Sequence, residues 1–261
     1  MSLAIENVSA GYDKVPVLKD VSLKVEQGTI CALMGRNGSG KTTMLRCINA
    51  ILKPMRGRIV ANGRPVSSLS RIEIARLISL VPQGVQAVFS FSCLEMILMS
   101  SAARINAWSS PGKKEIQKAL GVLDEVGIPA LAHRPFNQLS GGERQLIMLA
   151  RALFQDAPIM LLDEPNSHLD FSNQHRIMGL MRDVVKKRGV TALISLHDPN
   201  LTLHYCDQVA MLKDGRVIAH GPTDDVMENE TLRHVLGENI QMDLTVKGFR
   251  VVTPLPSSTP R

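Results

Sequence analysis

The nine residues GRNGSGKTT at 35–43 set three glycines, a lysine and two threonines directly after the apolar run Thr29 to Met34. Glycines at 35, 38 and 40 let successive backbone N–H groups curl around phosphate oxygens, and the N-terminus of a following helix adds partial positive charge. In such a cradle Lys41 reaches the β- and γ-phosphates of a nucleotide, and the Thr42 hydroxyl completes a Mg²⁺ shell. A glycine turn with a solvated lysine is the bland alternative. The strand before the loop, and a helix after it that ends before Pro54, favour the cradle.

A second constellation is IMLLDEP at 159–165, an apolar strand that ends in two acids. Acids at the carboxyl end of a buried strand sit at the rim where α/β sheets hold ligands. Asp163 is placed to hold Mg²⁺ through water, and Glu164 to orient and deprotonate an attacking water. Taken alone, the two could also be solvated turn acids before Pro165. A further buried run, Thr191 to Leu196, ends at His197. That histidine either bonds the γ-phosphate or fixes the Glu164 carboxylate, although a lone histidine is more often packing or surface. The other histidines, His168 and His204 among them, form no ligand set, and His168 reads as a loop residue.

The third stretch, LSGGERQ at 139–145, puts two glycines before the apolar run Leu146 to Leu153. Each costs roughly 1 kcal/mol relative to alanine inside a helix. Ser140 with Glu143 three residues on is a capping box, which accounts for a helix start but not for Gly141 and Gly142. Their missing side chains leave N–H groups open to an anion. Because the loop at 35–42 already cradles one nucleotide, a second anion site in the same molecule is redundant. Two copies packed head to tail under two-fold symmetry remove the redundancy, the cradle of one and the Ser140 helix start of the other closing on a single nucleotide. A capped helix with an unrelated loop is the competing reading.

Residues so far apart in sequence need strands that end at a common rim. LAIENVSAGY, VLKDVSLKVEQG and RIVANGRPV alternate and predict an antiparallel sheet, with Asn62-Gly63 where a type I′ turn requires positive φ. TICALM, IMLL and TALISL are continuous apolar runs, each followed by a helical pattern, as in strands buried on both faces of a parallel or mixed sheet. The class is α/β. Between 85 and 155 the strand signal disappears, and Ile116, Ala119, Leu120 and Leu123, then Ile147, Ala150, Leu153 and Phe154, follow helical spacing. VAMLKDGRVIAHG predicts a second hairpin turning at Asp214-Gly215, and TPLPSSTPR a frayed tail.

The chain has 261 residues, 44% of them hydrophobic and 21% charged, which suits a soluble globular protein of one large domain or two small ones. No apolar run approaches the roughly 18–20 residues of a membrane span, and the N-terminus lacks a signal-peptide pattern, so a cytoplasmic location is expected. Cys31, Cys47, Cys93 and Cys206 show no metal or disulfide spacing and are expected to be structural thiols. The net charge of +6 is spread along the chain without a long basic block and decides little about partners.

With these motifs in this order, the sequence resembles the nucleotide-binding subunit of an ATP-binding cassette (ABC) transporter over nearly its whole length. GRNGSGKTT matches that family's Walker A, LSGGERQ its signature, IMLLDEP its Walker B with the catalytic glutamate, and SHLD at 167–170 its D-loop. The resemblance implies a P-loop NTPase core over 1–84 and 156–240 with an N-terminal antiparallel β subdomain. It also implies an inserted α-helical subdomain at 85–155 carrying the signature, and a C-terminal extension and frayed tail at 241–261. ATP and Mg²⁺ are the implied cofactors. ATP contacts are implied for Gly35, Asn37, Gly38, Ser39, Gly40, Lys41, Thr42 and Thr43, with Ser140, Gly141, Gly142, Asp163 and Asp170 joining them. Tyr12 matches the aromatic that stacks on adenine, although read bare it is strand packing. Gln83 in LVPQ matches the glutamine that senses Mg²⁺ and the membrane partner; by itself it is a strand-end polar residue. Thr42, Gln83 and Asp163 would surround the metal, with Glu164, His197 as the switch histidine, and Lys41 catalytic. Asn166 departs from the threonine that commonly follows the Walker B proline, which puts the D-loop hydrogen bonds in question.

The resemblance also implies partners: a homodimer of this subunit and two transmembrane permease subunits, with an external substrate-binding protein engaged indirectly. Nucleic acid is not among them. The implied place is the cytoplasmic face of the inner membrane. The apolar stretch near 85–100, with Phe89, Phe91, Met96 and Met99, either receives the permease helices or fills the helical insertion's own core. PNSHLDFSNQ and SLHDPNLTLHYCD look most like importers of iron-siderophore, haem or cobalamin, with molybdate- or tungstate-type oxyanions as alternative cargo. A soluble cassette ATPase acting on ribosomes or DNA is the rival, but such proteins carry tandem cassettes or a long coiled coil. A nonenzymatic nucleotide-binding scaffold is disfavoured by Glu164 and His197.

Overall fold

The alternating and the continuous apolar runs become two different kinds of sheet in the computed structural model, which describes residues 3–84, 90–103, 111–167 and 169–255. The chain opens with β1 (Leu3–Tyr12), β2 (Val15–Val25), β3 (Ile30–Met34) and α1 (Lys41–Ile48). It continues through β4 (Arg56–Ala61), β5 (Arg64–Pro65), α2 (Arg71–Leu77), β6 (Ile78–Val81), α3 (Cys93–Leu98), α4 (Lys113–Glu125) and α5 (Gly141–Gln155). Then come β7 (Ile159–Asp163), α6 (Phe171–Arg188), β8 (Thr191–Leu196), α7 (Pro199–Tyr205), β9 (Gln208–Lys213) and β10 (Arg216–Pro222). The described chain closes with α8 (Thr223–Val226), α9 (Asn229–Leu236), β11 (Ile240–Leu244) and β12 (Arg250–Pro254).

β2, β1, β4 and β5 form the antiparallel sheet, in that order. Period-2 patterning decides its faces: Val21, Leu23 and Val25 are buried, while Ser22 and Lys24 between them are exposed. Asn62 and Gly63 join β4 to β5 with φ of 47° and 79°, the positive pair that a two-residue turn demands.

The central sheet runs β10-β9-β3-β8-β7-β6. All its pairings are parallel except the hairpin of β9 with β10, so it buries both faces. Alternate residues of β3 serve two cores. Ile30, Ala32 and Met34 pack with the helical side, whereas Cys31 and Leu33 pack with α1 and the antiparallel sheet. Each fully buried large aliphatic side chain contributes roughly 1.5–3 kcal/mol. The four cysteines lie in these cores as free thiols, and burial pushes Cys31 up to about 12, far from a reactive thiolate.

Helices alone fill the described part of 85–155, apart from one bridge between Ser92 and Pro135. α3, α4 and α5 pack around the fully buried Phe136 and join the helical side of the central core. This corrects part of the partner-facing reading. Met96 lies on the inward side of α3 with Cys93 and Ile97, at i, i+3 and i+4 spacing, and is buried, whereas Phe91 and Met99 are substantially exposed. Phe89 and residues 85–88 lie outside the described residues, as does His168.

The C-terminal residues depart from the composition-based expectation as well. Thr253 and Pro254, read as the start of a frayed tail, close a hairpin in which β12 pairs with β11. Asn200 on α7 clamps that hairpin, accepting from the Val252 N–H at 2.8 Å and donating to its carbonyl at 3.1 Å. Residues 256–261 of the expected tail lie outside the described residues.

At the β9–β10 turn Gly215 joins the two sheets: its carbonyl accepts from Lys19 N at 2.8 Å, and a Cβ there would lie 1.9 Å from Val17 O. Gly28 has a similar φ, +71° against +80°, but open space around it. Gly28→Ala should therefore cost only the left-handed backbone penalty, about 1–2 kcal/mol, and Gly215→Ala at least ~1 kcal/mol more because a neighbouring strand must also move. Urea unfolding of the two variants checks this; equal midpoints contradict the wedge at Gly215.

Candidate functional site

Parallel pairing in register brings the separated motifs to one rim. Met34 pairs with Leu196, Asp163 with Ser195, and Val81 with Leu162, so β3, β8, β7 and β6 all end at the same level. The loop at 35–40, Gln83, Glu164 and His197 emerge there, at the carboxyl ends of the strands, where open α/β sheets bind ligands.

The glycine loop is tightly wedged. A Cβ on Gly35 would lie 2.3 Å from Leu212 O and 2.6 Å from Ser39 Oγ, so only glycine fits against the end of β9. Gly40, at φ 110°, is the N-cap of α1 and Lys41 its first residue. Lys41 is buried at 5% exposure, and its Nζ donates to the carbonyls of Gly35 at 2.9 Å and Arg36 at 3.3 Å. Burial lowers its pKa, while the charges of Glu164 and Asp163 pull it back up. Ser39 is buried with its Oγ unpartnered, Thr43 is buried, and Asn37 and Gly38 are exposed at the loop tip. A buried ammonium, a helix N-terminus and an orphaned hydroxyl in one curl fit the oxygens of a phosphate chain.

Next to the loop, Thr42 Oγ1 donates to Asp163 Oδ1 at 3.2 Å, and Ser195 Oγ donates to the same oxygen at 2.8 Å. Thr42, Asp163 and the Gln83 amide supply oxygen ligands only, the donor set a hard cation such as Mg²⁺ takes. Glu164 has φ 47° and therefore sits in the left-handed region, a strain of roughly 1–3 kcal/mol for a residue with a Cβ. Its backbone N–H donates to Ser195 Oγ at 2.8 Å, which fixes the bend. One carboxylate oxygen accepts from Gln83 Nε2 at 2.7 Å and the other bonds His197 Nε2. His197 thus contacts Glu164 directly.

Tyr12 lies at the end of β1, 41% exposed, and its hydroxyl accepts from Arg46 Nη1 at 3.0 Å. Arg46 is one turn beyond Thr42 on α1, so the Tyr12 hydroxyl is tied to a side chain of the helix that begins at the phosphate loop. The signature residues are elsewhere. Ser140 caps α5 with Glu143, whose carboxylate is held below the usual range by the Ser140 N–H and hydroxyl. Asp170 caps α6 by accepting from Asn173 N at 2.8 Å, and Asn166 sits half-buried in the turn between. A Cβ on Gly142 would meet Asn173 at ordinary contact distance, and one on Gly141 would meet nothing within 4 Å. Among the described residues, no hydrogen bond or ion pair links 139–145 to 35–43.

Sequence reasoning missed two members of this site. Ser195 is a completely buried serine between Ile194 and Leu196, and that polarity mismatch two residues before His197 was the available signal. Arg46 had none, because only the fold brings it to Tyr12.

A profile of the family described as ABC transporter matches residues 18–167. A Helicobacter pylori protein named as a probable iron chelatin transport ATP-binding protein is 37% identical over 233 residues, covering 89% of this chain and 91% of its own length. A chain from an ABC transporter in an inward-facing conformation, described as of metal-chelate type, superimposes with a TM-score of 0.86 at 28% identity over 98% of both chains. A dimeric bacterial ABC transporter cassette superimposes at 0.76 with 28% identity, over 85% of this chain and 98% of that one.

Ser195→Ala leaves the Glu164 N–H and an Asp163 oxygen each one partner short in a buried setting, which should cost roughly 1–3 kcal/mol. The urea midpoint of the nucleotide-free protein reads this cost, and an unchanged midpoint contradicts the bridging role.

Proposed function

We propose, on the premise that this chain belongs to the ABC transporter family and is an ATP-hydrolysing cassette, that it powers import of a metal chelate through separate membrane subunits. The observation that carries the catalytic part is the Glu164 carboxylate, fixed between Gln83 and His197 one residue after Asp163. The loop N–H groups and Lys41 bind the β- and γ-phosphates, Asn37, Ser39 and Thr43 complete the cradle, and Tyr12 stacks on the adenine. Mg²⁺, when bound, neutralises phosphoryl charge, and Thr42, Asp163 and Gln83 would hold it. Glu164 takes the proton of the attacking water while His197 holds its carboxylate in line, a contribution of roughly 10²–10⁴ in rate.

Ser140, Gly141, Gly142 and Asp170 act across a two-fold axis, on the ATP held by a second copy. Three things support this: the open space at Gly141, the lack of any bond between the two motifs among the described residues, and the dimeric cassette with a similar fold. ATP then favours the closed dimer because both halves bind it, and the products do not. On this reading the core at 1–84 and 156–240 holds the chain's own ATP, and the helical unit at 85–155 carries the signature that meets the ATP of the second copy.

The cargo class follows the relatives: one is named for iron chelatin transport and a similar structure is of metal-chelate type. Iron-siderophore, haem and cobalamin all fall within it. No helix among the described residues is long and apolar enough to cross a membrane. The relatives' transporter role supports reading the chain as peripheral, on the cytoplasmic face of the membrane, and as receiving two permease subunits near 85–100. The exposed Phe91 and Met99 support that contact. A substrate-binding protein joins only through those subunits, and their co-purification from native membranes tests the assembly.

Glu164→Gln should keep ATP binding, lose at least about 10²-fold in turnover and accumulate ATP-bound dimers by size-exclusion chromatography. Unchanged hydrolysis removes Glu164 from its role. In that background Ser140→Arg should abolish the ATP-dependent dimer while leaving nucleotide affinity of the monomer intact; dimers of normal size would sink the shared-site reading.

A further inference from the structure

Far along α1 from Lys41, a cavity of about 750 Å³ opens between the end of that helix, β4, the turn after β5 and α2. Its volume is within the range of small-ligand sites, roughly 300–1,000 Å³. Three cations line it, Lys53, Arg58 and Arg71, and no carboxylate does. Arg58 pairs with Glu6, outside the lining, at 2.5 Å, and Arg71 donates to the Ala50 carbonyl at 2.9 Å, so both are held in place, while Lys53 is exposed. The apolar wall is aliphatic: Leu52, Ile59, Val66, Leu69 and Ile74, with no aromatic side chain. Cys47 completes it, and burial raises its thiol to about 11, so it adds an uncharged surface.

A positive rim over an aliphatic wall selects for charge and shape together. A planar base or ring finds no aromatic partner here, whereas a flexible alkyl chain is matched by the branched aliphatic side chains. Arg58 is neutralised by Glu6, so Lys53 and Arg71 are the charges that favour an anionic end on that chain. We propose that this cavity binds an anionic amphiphile, an acyl chain of middle length ending in a carboxylate, with its chain on Ile59, Val66, Leu69 and Ile74 and its head among Lys53, Arg58 and Arg71. The site is separate from the nucleotide rim and does not rest on the transport reading.

Calorimetric titration of the full chain with decanoate, butanoate and decyltrimethylammonium tests the proposal. Decanoate should bind saturably at one site, butanoate should not bind, and the cationic amphiphile should bind at least about tenfold more weakly. Lys53→Glu, at an exposed position, should weaken decanoate about tenfold at low ionic strength with ATP hydrolysis unchanged. Ser67→Trp, which fills the cavity from an exposed lining position, should abolish binding. The proposal is overturned by the absence of saturable decanoate binding, by equal affinity for the cationic amphiphile, or by wild-type binding in both variants. Saturable binding to phosphatidylglycerol vesicles without decanoate binding would assign the surface to a membrane instead and overturn it too.

Discussion

The in-register parallel pairing of β3, β8 and β7 is the constraint on which the site depends. Shifting β7 by one residue against β8 would send Asp163 to the other face of the sheet and separate it from Ser195, because side chains alternate with a period of two. That register is held by continuous burial on both sides: Leu161 and Leu193 face the antiparallel sheet, and Leu162 and Ile194 face the helices. Hydrophobic burial, which has no direction of its own, thereby fixes polar atoms to within a hydrogen-bond length. Ser195 Oγ converts the alignment into chemistry by holding the carboxylate of Asp163 and the backbone of Glu164 at once.

Much of this was legible in the residues. Continuous apolar runs marked β3, β7 and β8, positive-φ dipeptides marked both hairpins, and the Ser140–Glu143 box marked the start of α5. What escaped was set by contacts between distant segments. Nothing local in VAMLK says that this strand of the predicted hairpin also lies parallel beside β3. α2 runs straight into the four-residue β6, where helical and strand periods cannot be told apart in so short a stretch. Thr253 and Pro254 looked like tail because composition cannot register the clamp from Asn200, some fifty residues away. Met96 was ambiguous for a related reason: an apolar helix face looks the same whether its cover is its own chain or another.

The electrostatics divide along the same geometry. At the rim, one buried ammonium, Lys41, is balanced by two carboxylates beyond it, and the loop carbonyls accept its hydrogen bonds. The start of α5 is built differently: Glu143 is committed to its own cap and to Arg134, so no acid side chain is left over the glycine N–H groups. At the rim, opposite charges thus balance within a single chain. At the start of α5, a Cβ on Gly141 would meet nothing within 4 Å.

Glu164 occupies a backbone region that glycine and asparagine enter at little expense and glutamate does not. Its usefulness and its discomfort come from the same bend, since the turn that aims the carboxylate also twists the main chain. On the role proposed for Glu164, selection for robustness alone would erode this position, rewarding residues that relax the main chain at the expense of the reaction. Heat tolerance in this molecule is therefore better sought in the cores and surface loops than at the end of β7, where ease and activity pull in opposite directions.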